Sequence, residues 1–431
     1  MTRLEFLKST AALAAIPGLA KGDDAAPVAA PETAEVIAKP DAPPRNRRPY
    51  SGLDWEKCKH IYTTSHGHCT SQAHIDTYLK HGYGLLTISN YYPSAPTVPG
   101  KDFTVGYYRT HHDFPVMVNG ARKDGPFDWN AIIEPWKNEI KDKRLLAQLP
   151  FKPSKAKMFP KWPEGMLEAP NAEHHSFLLD NGQPAGSLHM CAPGSAYASG
   201  TFDAHNRFLT KSHGYHFGTG ERWRTAVDRM IAGLIHPDGG GVTINHPSWT
   251  HLDRKLMLEI LDHDPRILGC EVMEHGYNSE HYWDWALSTG RQCFGFFVPD
   301  WGVGDGTRDF GANVLVVPEP TVHECMKAYR QGNFYGSLHA LNELHFTYLG
   351  FDGKTVRAAT DKPAKFQLIT ARGVVQETTG TEMTWELRIR SNKSGKPIRR
   401  GGPIVEVFAR VKAFATDGSE EVIFSQPFML F

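Results

Sequence analysis

The chain lacks any long apolar run. No stretch approaches the roughly 20 consecutive apolar residues of a membrane-spanning helix, so no transmembrane segment is expected. It also lacks an excess of either charge: Lys+Arg and Asp+Glu are both 47, for a formal net charge of +0. Beyond Arg45-Asn46-Arg47-Arg48 there is no basic cluster, which argues against binding nucleic acid through a charged face. Cysteine is scarce, six residues in 431, and no Cys-x-x-Cys occurs, so neither a redox pair nor a compartment can be read from it. Cys270 and Cys293 fall in apolar runs and read as buried small hydrophobes. Cys69, beside a histidine pair, reads as packing before it reads as a soft ligand. The glycine triplet Gly239-Gly240-Gly241 lacks the strand and helix that frame a nucleotide-binding loop and reads as a turn.

Histidine, by contrast, is plentiful, at 22 residues. The run Lys59–Thr63 reads as a strand, and Thr64-Ser65-His66-Gly67-His68-Cys69 follows it. Alternate residues on an extended chain face one way, so His66 and His68 present their imidazoles to one side. Such a pair at a strand end can hold a divalent metal when carboxylates and further histidines arrive from elsewhere. Candidates do arrive. His246 closes the apolar run Val242-Thr243-Ile244-Asn245, and Asp300 closes Phe294–Pro299. Each run follows a plausible helix, at 221–235 and 280–290, and Glu173 supplies a carboxylate between the two ends of the set. Strand ends that converge after intervening helices are how a parallel α/β barrel builds its site. Imidazoles mixed with carboxylates suit zinc, manganese or iron better than calcium or magnesium, which favour all-oxygen shells.

The order His-x-His, a histidine at His74, then Glu173, Asn245-His246-Pro247 and Asp300 resembles the PHP (polymerase and histidinol phosphatase) family over roughly residues 58–340. The resemblance implies an α/β fold, a distorted (β/α)7 TIM-like barrel, and a metal-dependent hydrolase, most often a phosphoesterase. It implies metal ligation by His66, His68, Glu173, His246 and Asp300, with His74 weaker. For the histidine between Glu173 and the Asn-His-Pro turn, Lys211-Ser212-His213-Gly214 is similar to the family's strand end, so His213 is the choice, with His216 and His205 behind it. Two positions depart from the pattern. Asn90-Tyr91 stands where Asp-His is usual, and Asp300-Trp301-Gly302 where Asp-x-His is usual. By resemblance both missing histidines serve a third metal, so one or two ions are implied.

At 431 residues the chain suits a large domain plus a smaller one. Residues 1–23 resemble an export signal of twin-arginine or general-secretion type, with Leu4 where the second arginine would stand. This makes the protein exported, periplasmic or secreted, with a cytoplasmic protein as runner-up. Residues 24–50, rich in Pro and Ala, read as a disordered linker. Residues 51–340 read as the metal-binding barrel. Within it, 91–170 form an insertion over the barrel mouth, with a helix around 129–147 that Pro135 interrupts. Helices are expected at 71–81, opened by Thr70 or Ser71, and at 321–331, opened by Thr321 and stopped by Gly332. From about 341 to 431 the period changes to two, and Asp-Gly turns separate runs such as Lys365–Thr370 and Ile404–Val411. This predicts an antiparallel β-sandwich accessory domain.

A metal shared through Glu173 would lower the pKa of a bound water, so no side-chain nucleophile is needed. His216 is the candidate general acid, and Arg207 and Lys211 could bind an anionic substrate group. Glu271 and Glu274 read as structural carboxylates. The function expected is a metal-dependent hydrolase of phosphoesters in a mono- or dinuclear site. Two alternatives are an exported metallohydrolase acting on a glycan or glycoconjugate, and a degenerate, non-catalytic binding protein. The expected partner is a small-molecule or glycoconjugate substrate; no protein partner is implied.

Overall fold

The computed structural model describes residues 41–69, 71–89, 161–175, 177–197, 221–274, 277–300, 311–339, 343–387 and 406–430, with short pieces at 37, 39, 116–118, 121–123, 134–139, 143–147 and 150. The signal-like segment, most of the linker, Thr70, Tyr91 and Gly302 lie outside these residues, as do His205, Arg207, Lys211, His213 and His216.

In chain order the elements are β1 (Lys59–Thr63), α1 (Gln72–Lys80), β2 (Leu85–Leu86), β3 (Val116–Val118), β4 (Ala121–Lys123), β5 (Leu167–Glu168), β6 (Glu173–His174) and β7 (Met190–Cys191). Then come α2 (Trp223–Ala232), β8 (Val242–Ile244), α3 (Arg254–His263), β9 (Ile267–Glu274), β10 (Tyr277–Asn278), α4 (Glu280–Ser288), β11 (Phe294–Val298), β12 (Ala312–Val317) and α5 (Val322–Gln331). The strands β13 (Phe334–Ser337), β14 (Phe346–Phe351), β15 (Thr355–Thr370), β16 (Gly373–Glu386), β17 (Phe408–Ala415), β18 (Val422–Phe424) and β19 (Phe428–Met429) complete the strands and helices of the described residues. Of the helix expected around 129–147, the described residues give a 3-10 segment, Glu134–Glu139, containing Pro135, and a single turn, Lys143–Leu146.

Local chemistry explains the helix ends. The Ser71 side chain accepts from the His74 amide and opens α1, Asp253 accepts from Leu256 and opens α3, and Thr321 accepts from Glu324 and opens α5. Within α3, Met257, Ile260 and Leu261 fall at one-turn spacing and are buried. Helix α5 stops at Gly332, whose φ of 73° is left-handed and whose absent Cβ would lie 2.5 Å from the Phe294 ring. No described helix is long and apolar enough to cross a membrane.

The fold is mixed α/β with mostly antiparallel sheets. One sheet runs β1-β12-β13-β18-β17-β15-β14, with β16 on β15 and β19 on β17. A second runs β10-β9-β8-β7-β6, with β11 on β9. The expected closed TIM-like barrel is not formed among the described residues. A (β/α) barrel has parallel neighbours throughout, whereas β1 pairs antiparallel with β12 and β7 pairs antiparallel with both β6 and β8. Parallel pairing survives at β2–β5 and β8–β9–β11, and in the isolated bridges Tyr62↔Tyr83 and Gly67↔Asp300.

Among the described residues the C-terminal strands join the sheet that carries β1, β12 and β13. Phe424 of β18 pairs with both Lys412 of β17 and Gly336 of β13, so the backbone ladder runs unbroken from β1 to the long β15–β16 hairpin. Trp223, Met230, Ile260, Trp283 and Phe297 belong to a core around α2–α4 and their sheet. A second core joins Tyr50, Val314 and Tyr335 to Phe346, Phe366 and Phe428. Between α4 and β17 lies Arg410, 1 % exposed, donating to Asp284 at 2.8 and 2.9 Å and to Glu280 at 3.0 Å, over the Trp283 ring.

The expected linker ends earlier than residue 50. Arg45 donates to the carbonyls of Leu261, Asp264 and Ile267, at the end of α3. Tyr50 is buried, donates through its hydroxyl to Phe334 O at 2.7 Å, and accepts from Gln426 N at 2.7 Å. A buried hydroxyl with both capacities used makes this segment part of the folded body.

Candidate metal centre

The His-Gly-His turn after β1 is shaped by side-chain and backbone bonds. The Thr64 hydroxyl donates to His66 O and accepts from His66 N, while Gly67 N donates to the Ser89 hydroxyl at 2.9 Å. A Cβ at Gly67 would lie 2.3 Å from the Tyr78 hydroxyl, so only glycine brings the turn this close to α1. The end of β11 docks alongside: His68 N donates to Asp300 O at 3.1 Å, and Asp300 N to His66 O at 3.3 Å. Glu173 N bonds to Ser89 O at 2.9 Å. Asn171 ties the layers together, its amide donating to Ser65 O and Thr87 O and its oxygen accepting from Ala192 N.

These constraints bring four side-chain donor atoms together. His66 Nε2 lies 3.0 Å from Asp300 Oδ1, 3.2 Å from His68 Nε2 and 3.3 Å from Glu173 Oε2. His68 Nε2 lies 3.1 Å from Asp300 Oδ1 and 3.0 Å from Glu173 Oε2. A tetrahedron with edges of this size has its centre about 1.9–2.0 Å from each corner, close to zinc–nitrogen and zinc–oxygen bond lengths. Six-coordinate geometry at about 2.1–2.3 Å has similar edges and suits larger ions. The Asp300 Oδ1 atom is buried and makes no hydrogen bond despite the two nearby ring nitrogens. Ring-nitrogen and carboxylate lone pairs converging on one point fit a cation between them.

A second group shares Glu173. Its other oxygen, Oε1, lies 2.8 Å from His189 Nδ1 and 3.4 Å from His246 Nε2. Glu173 therefore faces His66, His68 and Asp300 with one oxygen and His189 and His246 with the other. All five partners except Asp300 are nearly inaccessible; the Asp300 side chain keeps 13 % exposure. Two residues of the set have left-handed backbone, His246 at φ 27° and Asp300 at φ 48°. Such conformations cost about 1–3 kcal/mol in residues other than glycine and gather at functional sites.

Electrostatics tie the cluster together. Burial opposes the charges on Glu173 and Asp300, but the adjacent imidazoles outweigh it and hold both carboxyls well below the usual range. Burial opposes charge on His66 too, and Asp300 with the other nearby acids outweighs it, so without a metal its pKa is raised well above the ordinary value. His174 is different: it stacks on Tyr197 at 5.2 Å, and burial pushes its pKa down to about 3.

Of the residues expected from sequence, the structure brings together His66, His68, Glu173, His246 and Asp300. His74 lies on α1 and belongs to none of the described groups. His213, His216, His205, Arg207 and Lys211 lie outside the described residues. Sequence reasoning missed His189. Its signal is a histidine two residues before Cys191 in Leu188-His189-Met190-Cys191, a short apolar run. Glu271, read from sequence as a structural carboxylate, lies 2.8 Å from His66 Nδ1 and 2.8 Å from His246 N. Trp249 stands at the edge of the second group, 38 % exposed, with its ring centroid 4.9 Å from that of His246 and 5.9 Å from that of His189.

No protein-family model matches the chain, and no curated protein matches it. Three solved chains do. One is a two-domain protein from Bacteroides vulgatus ATCC 8482 containing a predicted PHP-like metal-dependent phosphoesterase; it is 11 % identical, with a TM-score of 0.35, over 88 % of this chain and 96 % of that one. A likeness this loose decides neither fold nor function.

Proposed function

We propose that the chain is a metal-dependent hydrolase, a phosphoesterase working through a mono- or dinuclear centre on His66, His68, Glu173, Asp300, His189 and His246. The observation that carries this reading is the packing of four ligand-type atoms in which each imidazole nitrogen lies 3.0–3.3 Å from the other three, with Glu173 turning its second oxygen to two further histidines. A transition-metal ion held there would act as a Lewis acid and lower the pKa of a water molecule. The chain's own part is to bind and orient. Glu173 and Asp300 supply negative charge in a buried site, where it counts for more than in water. The imidazoles supply neutral donors once their protons leave, and the surrounding apolar core limits bulk water. Asp300, the most accessible of the set, marks the side from which substrate arrives. Cys191 lies beside the cluster, but burial pushes its thiol up and keeps it protonated, which suits attack by water instead.

The motif order His66-x-His68, Glu173, Asn245-His246-Pro247, Asp300 supports the phosphoesterase reading over other hydrolyses by its resemblance to the PHP family, and we read the two sheets as an opened relative of that family's distorted barrel. A second reading, hydrolysis of a glycan or glycoconjugate, is favoured by Trp249. An exposed indole beside ligating histidines is a stacking surface for a sugar ring. We take the chain to be exported through its signal-like first 23 residues. Elemental analysis of purified protein, followed by assay on phosphomonoesters, phosphodiesters and glycosides, tests the readings. Metal at one or two ions per chain with phosphoester turnover is expected. Metal-free protein with no turnover after reloading would overturn both hydrolase readings, and turnover of glycosides alone would select the second.

A further inference from the structure

Glu271 is fully buried in β9, one strand away from the turn that carries His246 and opposite the turn that carries His66. Both of its oxygens are engaged. Oε1 lies 2.8 Å from His66 Nδ1, and Oε2 accepts the His246 backbone N–H at 2.8 Å. His66 meets the four-atom group through the opposite ring nitrogen, Nε2, while His246, held at φ 27°, meets Glu173 through its own Nε2. One carboxylate thus reaches a member of each group.

Glu271 could instead be counted as a ligand, because its oxygen, His66 and His246 also lie within reach of a common point. The ring of His66 decides against this. A neutral imidazole has one lone pair. If Nε2 serves the four-atom group, Nδ1 carries the proton and donates to Glu271, and no lone pair remains for an ion on that side. Oε2 is meanwhile occupied by an amide hydrogen.

We propose that Glu271 is the positioning residue of the centre. It fixes the Nδ1–H tautomer of His66, so that Nε2 offers its lone pair, and it pins the left-handed backbone at His246. The proposal rests on the reading of the cluster as a metal centre. It also makes glutamine an unsuitable replacement. The site presents two donors, an imidazole N–H and a backbone N–H, and therefore requires two acceptors. An amide supplies one acceptor and one donor. In Glu271→Gln either the amide N–H₂ opposes the His246 amide, or it turns to His66 and selects the tautomer whose Nε2–H points into the centre. Aspartate keeps both acceptors on a shorter arm.

The experiment uses the full chain stripped of metal and titrated with zinc and with cobalt(II). Relative to wild type, Glu271→Gln should lose about 10- to 100-fold in affinity, the range for removing the partner of a ligating histidine. It should also shift the visible bands of the cobalt form, and Glu271→Asp should recover part of both. Wild-type affinity and unchanged bands in Glu271→Gln would overturn the positioning role while leaving the metal centre intact. Wild-type protein that takes up no metal would overturn the centre and this role with it. If the variants do not fold, ¹⁵N spectra of zinc-loaded wild type decide: a proton on Nδ1 of His66 supports the proposal, and a proton on Nε2 overturns it.

Discussion

The metal cluster and the C-terminal hairpin are built on opposite principles. Around the cluster the strands are short, with β2, β6 and β7 two residues each and β8 three. Backbone conformation is left-handed at His246 and Asp300, and carboxylates are buried among imidazoles. In the hairpin, β15 runs for 16 residues and β16 for 14, with paired registry along most of their length. Its ion pairs lie outside, as in Lys365–Glu377 and Lys362–Glu343. Regular ladder with exposed charge favours stability. Irregular backbone with converging buried charge is tolerated only where the surroundings over-determine it. Strand β1, which leads to His66 and His68, lies in the hairpin's sheet, so the ordered half can stabilise that edge of the strained half; β6, β7, β8 and β11 lie in the second sheet.

The largest test of that coupling is truncation. A chain ending near Ala340 removes β18 from β13 and strips Phe346, Phe366 and Phe428 from a core shared with Tyr50 and Val314. It should give no cooperative unfolding transition and no metal uptake; a truncated protein that melts like the full chain would show the regions to be independent. Next in size, Asp300→Asn should cut metal affinity at least about 100-fold, since a charged ligand becomes a neutral one in a buried site. The metal-free variant should melt below wild type, because Asp300 supplies negative charge that offsets the buried, protonated His66. A variant with normal metal content by emission spectroscopy would remove Asp300 from the centre.

The comparison sharpens with two carboxylates. Glu173→Gln should lose more metal than Glu271→Gln, because Glu173 faces both groups directly and Glu271 acts through His66 and His246. Equal retention would show that Glu173 does not bridge. At the seam, Arg410→Ala should cost about 2–3 kcal/mol in urea unfolding, below the range for breaking a fully buried pair because Asp284 is one-third exposed. Metal affinity should stay at the wild-type value, and a matching fall would mean that the seam reaches the centre.

The most graded effect is that of pH. In the metal-free protein burial disfavours a charged His66, but Asp300 and neighbouring acids outweigh it and keep the proton on well above the ordinary value. A ligand nitrogen must lose that proton, so metal uptake releases protons and affinity rises with pH. Calorimetric titration from about pH 6 to about pH 8 should show stronger binding at the alkaline end. Affinity that is flat across this range would show that His66 gives up no proton on binding.

Sequence made part of this legible, and the reason is local. His66 and His68 are read from period-two spacing about a glycine, and His246 and Asp300 from polar residues that close apolar runs. His189 escaped because its significance is pairing: its carbonyl accepts from Asn245 N, 56 residues away. Helix α3 carried its own signals, Asp253 as cap and Met257, Ile260 and Leu261 at one-turn spacing. The first half of β16 did not, since Gln376, Glu377, Thr378 and Thr379 show no apolar face. The continuous sheet was hidden for a related reason. A change of period at about 341 marks a change of pattern, and pattern does not say which edge a new strand will join.

The junction at Gln426 has a consequence for how the molecule is made. Its side-chain amide bonds to both the N–H and the carbonyl of Gly295 in β11, the strand leading to Asp300, while its backbone N–H bonds to Tyr50 near the start of the body. Met429 N then reaches Arg47 O. Synthesis reaches Gln426 well over a hundred residues after Gly295. The strand leading to Asp300 therefore lacks these contacts until that distant segment has been made, so assembly of the centre waits on residues far along the chain.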